Sequence, residues 1–278
     1  MLLSTAAVFA LLWCLGLLGS SRREGAAMLL RPRSRSKCIA VLARGDPKGR
    51  YELLHRRQAA LDRLPWTRSW DRVIFHEGDI DEAGCGIRAR YIDVSATFRK
   101  VKPTKDTLRT GICKEIPNSV WPVGYRAMCL FWFHDFVEYL DGYDEVMRID
   151  DDCYLDPDQP EPSLGDQDVF ATSLVQGCDE AEYTDGMVEL FKSLDASKDF
   201  DRCSHPYTNV MWVNLVWDRA TRARKAPILE TRCIDMNRWG DLPLWGFYLV
   251  LLGRRISPLR LSYVHGSHGD YRVHPNVP

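Results

Sequence analysis

Three consecutive aspartates, Asp150-Asp151-Asp152, follow directly on the apolar run Glu145-Val146-Met147-Arg148-Ile149. Neighbouring carboxylates can share a hard divalent cation, which takes oxygen ligands and also bridges a diphosphate. A cation placed there offsets the charge of a departing nucleoside diphosphate. If the chain stays extended, alternation sends Asp150 and Asp152 to one side and Asp151 to the other. The same residues suit a phosphatase, a kinase-like enzyme or a nuclease, and a bare acidic triplet also occurs as a solvated turn. Position gives the triplet its weight. In open α/β sheets the ligand crevice lies beyond the carboxyl ends of the strands, and the triplet stands at the end of a β-rich run.

The elements that must position it follow from patterning. Cys38-Ile39-Ala40-Val41-Leu42-Ala43 is a continuous apolar run ended by Arg44-Gly45-Asp46-Pro47, the pattern of a strand buried on both faces. Pro47 suits a first helical turn, and Leu54, Gln58 and Leu61 continue at helical spacing. Val73–Phe75, Tyr91–Val94 and Val169–Thr172 read as further short strands. Gly124–Leu140 and Asp185–Leu194 read as helices. Asn209–Trp217, Leu242–Leu252 and Leu261–His265 supply the remaining core. Strands alternating with helices predict an α/β fold, a central sheet flanked by helices.

Length and composition fit this picture. A chain of 278 residues, 45% hydrophobic and 27% charged, can bury a large core and is neither fibrous, disordered nor multi-spanning. A net charge of −1 argues against a dedicated nucleic-acid binder. The charge is uneven, however. Residues 1–57 hold 11 Lys and Arg against 3 Asp and Glu, so +8 there faces −9 in the remainder.

Leu2–Gly19 carries no charge and reads as a signal peptide or membrane anchor, with 22–37 as a basic tether. Arg22 and Arg23 follow the apolar run, and the positive-inside rule would then keep the body cytoplasmic. The cysteines point the other way. Cys38, Cys85, Cys113, Cys129, Cys153, Cys178, Cys203 and Cys233 form an even, widely spaced set without a CxxC pair, which suits disulfides in an oxidising compartment. The balance favours the secretory pathway.

A longer stretch narrows the chemistry. Gly124-Tyr125-Arg126-Ala127-Met128-Cys129, the aromatic helix after it, and Tyr143 to Asp152 resemble the core of the fungal-type α-1,2-mannosyltransferases. Leu42-Ala43-Arg44, His205-Pro206-Tyr207-Thr208-Asn209, Arg238-Trp239-Gly240-Asp241-Leu242-Pro243 and Tyr263-Val264-His265 are similar to that family's other signatures, in the same order. The resemblance covers about Cys38 to Pro275. It implies a GT-A domain over 38–278 with a mixed central sheet, and a retaining Golgi enzyme that uses GDP-mannose and Mn2+.

Roles follow from the same resemblance. Asp150 stands where the family has a Glu, and with Asp152 it restores a D-x-D pair; His265 would complete the metal ligands, with His268 as its substitute. Arg44, Arg126, Arg148 and Asp150 would border the donor nucleotide. Tyr125 and Asp241 would act at the reacting centre, Asp241 meeting the acceptor hydroxyl. As plain structure, Arg126 could serve helix packing and Asp241 could cap a helix.

Three departures accompany the likeness. Met211 occupies the place of a family Glu proposed as nucleophile, and a thioether cannot do the work of a carboxylate there. Leu130 replaces an Arg, and the chain ends soon after His274-Pro275. The reading is therefore a metal-dependent retaining glycosyltransferase acting from a nucleotide sugar on a saccharide. The alternative is an inactive GT-A-like protein that binds glycans or scaffolds an enzyme. A cytoplasmic nucleotidyl- or glycosyltransferase is the third reading, carried by the basic flank.

Overall fold

The computed structural model describes residues 36–45, 51–100, 112–114, 122–176, 179, 181–200, 204–266 and 271–275. The apolar segment 2–19, most of the tether, Pro47, Cys178, Cys203 and His268 lie outside them. Among the described residues, no helix is long and apolar enough to cross a membrane.

Lys37–Leu42 (β1) is the hub of a seven-stranded sheet. Its residues Cys38–Val41 are wholly buried, as the apolar run requires of a strand covered on both faces. On one side β1 pairs in parallel with Asp71–His76 (β2), which carries Arg90–Asp93 (β3). On the other it pairs in parallel with Glu145–Ile149 (β4). The chain then leaves this sheet as Cys153–Leu155 (β5) and returns as Phe170–Thr172 (β6). Val175–Gln176 (β7) and His205–Pro206 (β8) form a small antiparallel ribbon. Val210–Asn214 (β9) runs antiparallel between β4 and β6, and Ser257–Pro258 (β10) closes the edge beside β6. The sheet is therefore mixed, in the order β10-β6-β9-β4-β1-β2-β3.

One face of the sheet is covered by the helix Val123–Leu130, which runs through a π turn at Phe131–Asp135 into Phe136–Tyr139, and by the helix Asp241–Leu251. Phe131, Trp132, Phe133 and Phe136 are all fully buried, so this segment is apolar on nearly every side rather than on one stripe. The opposite face is covered by the helix Glu52–Asp62 and by a second, three-stranded sheet. In that sheet Tyr263–His265 (β11) pairs antiparallel with both β5 and Tyr271–Val273 (β12). Its register sets His265 opposite Cys153. Two segments about 110 residues apart thereby meet at the end of β4.

The cysteines depart from the expected framework. Cys113 and Cys233 are bridged, whereas Cys38, Cys85, Cys129 and Cys153 are buried free thiols. Cys38, Cys85 and Cys129 behave as small core hydrophobes, the ordinary state of an unpaired buried cysteine.

Candidate active site

Ile149 ends β4, and Asp150 begins a tight turn in which the Cys153 amide donates to the Asp150 carbonyl at 3.0 Å. The strand alternation expected for the triplet does not apply to a turn. All three aspartates line one cavity of about 570 Å³ at the carboxyl end of β4. Crowding raises the Asp151 carboxyl to a pKa of about 6, through burial first and then repulsion from Asp150 and Asp152.

Arg148 organises one half of the cavity. Its Nε and Nη2 donate to the two oxygens of Asp150 at 2.7 and 3.1 Å, a bidentate fork. Its Nη1 donates to Asp241 Oδ2 at 2.5 Å, and the guanidinium carbon lies 4.7 Å from the Trp132 ring centre. Asp241 is the first residue of the helix Asp241–Leu251, where the amide dipoles favour a negative charge. Tyr125, Met128 and Trp132 recur at helical spacing and turn the same face of their segment to the cavity. The Tyr125 hydroxyl accepts from Arg238 Nη2 at 3.3 Å, and burial holds the phenol well above its usual pKa. Arg238 pairs through Nη1 with Asp179 at 3.3 Å and stacks on Tyr183.

His265 organises the other half. Its Nε2 stands 3.1 Å from Asp152 Oδ2. Its Nδ1 meets the Tyr271 hydroxyl at 2.6 Å and the Tyr207 hydroxyl at 3.2 Å. Such partners on one ring nitrogen fix the direction in which the other points. Asn209 Nδ2 links the halves, donating to Asp150 Oδ2 at 3.0 Å and lying 3.4 Å from His265 Nε2. Asp152, Cys153 and His265 each offer a donor atom, all within 4.8 Å of one another.

The structure thus brings Tyr125, Arg148, Asp150, Asp152, Asp241 and His265 to one cavity, and leaves two expected residues outside it. Arg126 is buried and gives Nη1 to the carbonyls of Asp235 and Met236, tying two helices together. Arg44 is exposed, with its guanidinium beside Gly124. Met211 is fully buried on β9, opposite Arg148 on one side and Thr172 on the other, and does not line the cavity.

Sequence reasoning missed Arg57. It is buried in the helix Glu52–Asp62, and its Nε donates to the Ile149 carbonyl at 2.9 Å, one residue before the triplet. Burial lowers its pKa to about 10, and Asp151 and Asp150 oppose that shift. An Arg on an amphipathic helix reads as solvent-facing, so no local signal marked it. Tyr207 lies in the His205–Asn209 segment, but its hydroxyl contact to His265 joins residues 58 positions apart.

No family model matches the sequence, and no curated protein does. Solved structures do resemble it. One is core-mannan synthase A (CmsA/Ktr4) from Aspergillus fumigatus in its Mn/GDP form, with a TM-score of 0.59 and 16% identity over 89% of this chain and 78% of that one. Another is the mannosyltransferase Ktr4p from S. cerevisiae in complex with GDP, with a TM-score of 0.58 and 14% identity over 88% of this chain and 74% of that one. At such identities the likeness is one of backbone architecture. The chain has the mixed-sheet GT-A fold of these mannosyltransferases.

Proposed function

We propose that this protein is a metal-dependent retaining glycosyltransferase that moves mannose from GDP-mannose to a saccharide hydroxyl. The observation that carries the reading is the cavity beyond β4, where Asp152 and His265 face each other at 3.1 Å beside the Arg148–Asp241 pair. The shared fold with enzymes solved in Mn/GDP and GDP forms supports the donor class.

The donor set fits a divalent cation. Metal bonds of about 2.0–2.2 Å to oxygen and nitrogen put adjacent ligands about 3 Å apart, which is the Asp152–His265 separation. Asp152 and His265 are the residues we assign to hold Mn2+ or another divalent cation, with Asp150 next to them on its Arg148 fork. A cation held there would neutralise charge on the leaving diphosphate. The chain's own residues supply the rest. Asp241, fixed by Arg148, is placed to receive the proton of the acceptor hydroxyl. Tyr125 and Arg238 also line the cavity, and the Trp132 ring packs against the guanidinium of Arg148. Arg44, outside the cavity at the end of β1, is assigned to the far end of the nucleotide.

Met211 offers no nucleophile and is closed off from the cavity. Retention then follows from attack on the same face as the departing diphosphate, directed by positioning rather than by an enzyme-bound sugar. The Cys113–Cys233 bridge supports folding in an oxidising compartment, and with the apolar segment 2–19 we place the protein in the secretory pathway, in the Golgi lumen.

The test is a panel of nucleotide sugars with mannoside acceptors, with and without Mn2+. The expected result is transfer from GDP-mannose that needs Mn2+ or another divalent cation and stops on chelation. GDP and Mn2+ binding without transfer from any donor would replace this reading by the inactive, glycan-binding one, which the Met211 position favours.

A further inference from the structure

Cys153 lies beside Asp152 and His265. It is the first residue of β5, directly opposite His265 in the antiparallel register, so both side chains leave the small sheet on the same face. Its Sγ lies 3.8 Å from Asp152 Oδ1, and Sγ, the imidazole nitrogen and the carboxylate oxygen fall within 4.8 Å of one another. All three residues are buried. The two tyrosine hydroxyls on Nδ1 turn His265 Nε2 toward this cluster, so the arrangement is built from both strands and braced from behind.

We propose that Cys153 is the third protein ligand of the cation, making an Asp-Cys-His centre that prefers Zn2+ or Co2+ over Mn2+ or Mg2+. A carboxylate and an imidazole accept many divalent ions, whereas sulfur selects the softer ones. Three protein ligands also leave a coordination position open to a diphosphate oxygen. Coordination exchanges the S–H bond for a metal–sulfur bond and releases the proton to solvent; no electron changes hands. The inference rests on the assignment of Asp152 and His265 to a cation.

Cobalt separates the two claims. The metal-free full chain is titrated with Co2+ while absorbance is followed in the visible and near-ultraviolet. Visible d–d bands report that the ion is bound, and a sulfur-to-cobalt charge-transfer band reports a thiolate ligand. The expected result is both sets of bands in wild type. Cys153→Ser should keep d–d absorption, lose the charge-transfer band and bind Zn2+ about tenfold or more weakly, the usual scale for a disturbed ligand set. His265→Gln should lose the charge-transfer band as well, which ties the sulfur to this site. Circular dichroism checks the fold of each variant, and Cys153→Ala stands in if the serine variant does not fold. Bound Co2+ without a charge-transfer band, or a band that persists in Cys153→Ser, overturns the inference and leaves the Asp152–His265 assignment intact. If neither Co2+ nor Mn2+ binds, the cation assignment fails and Cys153 falls with it.

Discussion

Arg148 and Asp241 meet at 2.5 Å with each side chain only 4% exposed, although 93 residues separate them in the chain. The same guanidinium holds Asp150 by its other edge. One cation thus sits between the carboxylate at the end of β4 and the carboxylate that starts the helix Asp241–Leu251. Donor side and acceptor side of the proposed reaction are joined by a single residue.

Asp241→Asn tests that junction. The amide still accepts a hydrogen bond from Arg148 but cannot take the acceptor proton. Transfer should fall about a hundredfold or more, the usual scale for a positioned acid–base group. GDP affinity, read by calorimetry, should change little. Transfer equal to wild type would remove Asp241 from the reaction.

Much of this arrangement was legible in the chain. The apolar run at Cys38 and the strand into the triplet are local patterns, and the structure follows them. What was not legible depends on contacts far apart in sequence. Nothing near Tyr154 or Val264 shows that β5 and β11 pair, yet that pairing sets Cys153 beside His265. Asp150–Asp152 reads as continuing a strand, but the Asp150 carbonyl takes the Cys153 amide and the chain turns. Arg126 and Arg57 show the same gap. Both are arginines on helices, and only the tertiary structure shows that their charges go to buried carbonyls.

Met211 allows a direct test of the proposed mechanism. A glutamate there would be buried opposite Arg148 and would compete with Asp150 and Asp241 for it. Met211→Glu should therefore lower stability and should not raise transfer, because a buried charge without its own partner is costly. Met211→Leu, close in volume, should cost less than about 1.5 kcal/mol in a urea titration. A gain in transfer with Met211→Glu would show that the missing carboxylate limits the enzyme.

Lys225 and Asp218 form a second buried pair, at 2.6 Å with both side chains wholly excluded from solvent. The ammonium also donates to the Phe133 carbonyl and faces the rings of Trp245 and Phe133. Burial pulls the Lys225 pKa below its usual value, and Asp218 opposes that. Lys225→Met would leave Asp218 charged and unpaired, and should cost about 3–5 kcal/mol. Lys225→Met with Asp218→Leu should cost clearly less than the single change. Equal losses by denaturant titration would mean that packing, not charge, dominates this site.

His205 predicts how the fold responds to acid. It is 1% exposed, on β8, and its Nδ1 accepts the Asp179 amide N–H at 3.1 Å. Protonation would put a hydrogen on that nitrogen, facing the Asp179 amide hydrogen and breaking the bond. Burial lowers its pKa from 6.5, with Asp179 opposing the shift. A histidine whose folded pKa is depressed stabilises the fold above its unfolded value and loses that contribution as pH falls through the folded one. Stability should therefore decline as pH drops below about 6.5. His205→Gln, which does not titrate, should flatten that part of the profile. Because β8 pairs with β7, whose Gln176 lines the cavity, nucleotide affinity in wild type should weaken over the same range. Denaturation midpoints measured in steps from neutral pH downward decide the matter: identical slopes for wild type and His205→Gln would show that other groups carry the acid sensitivity.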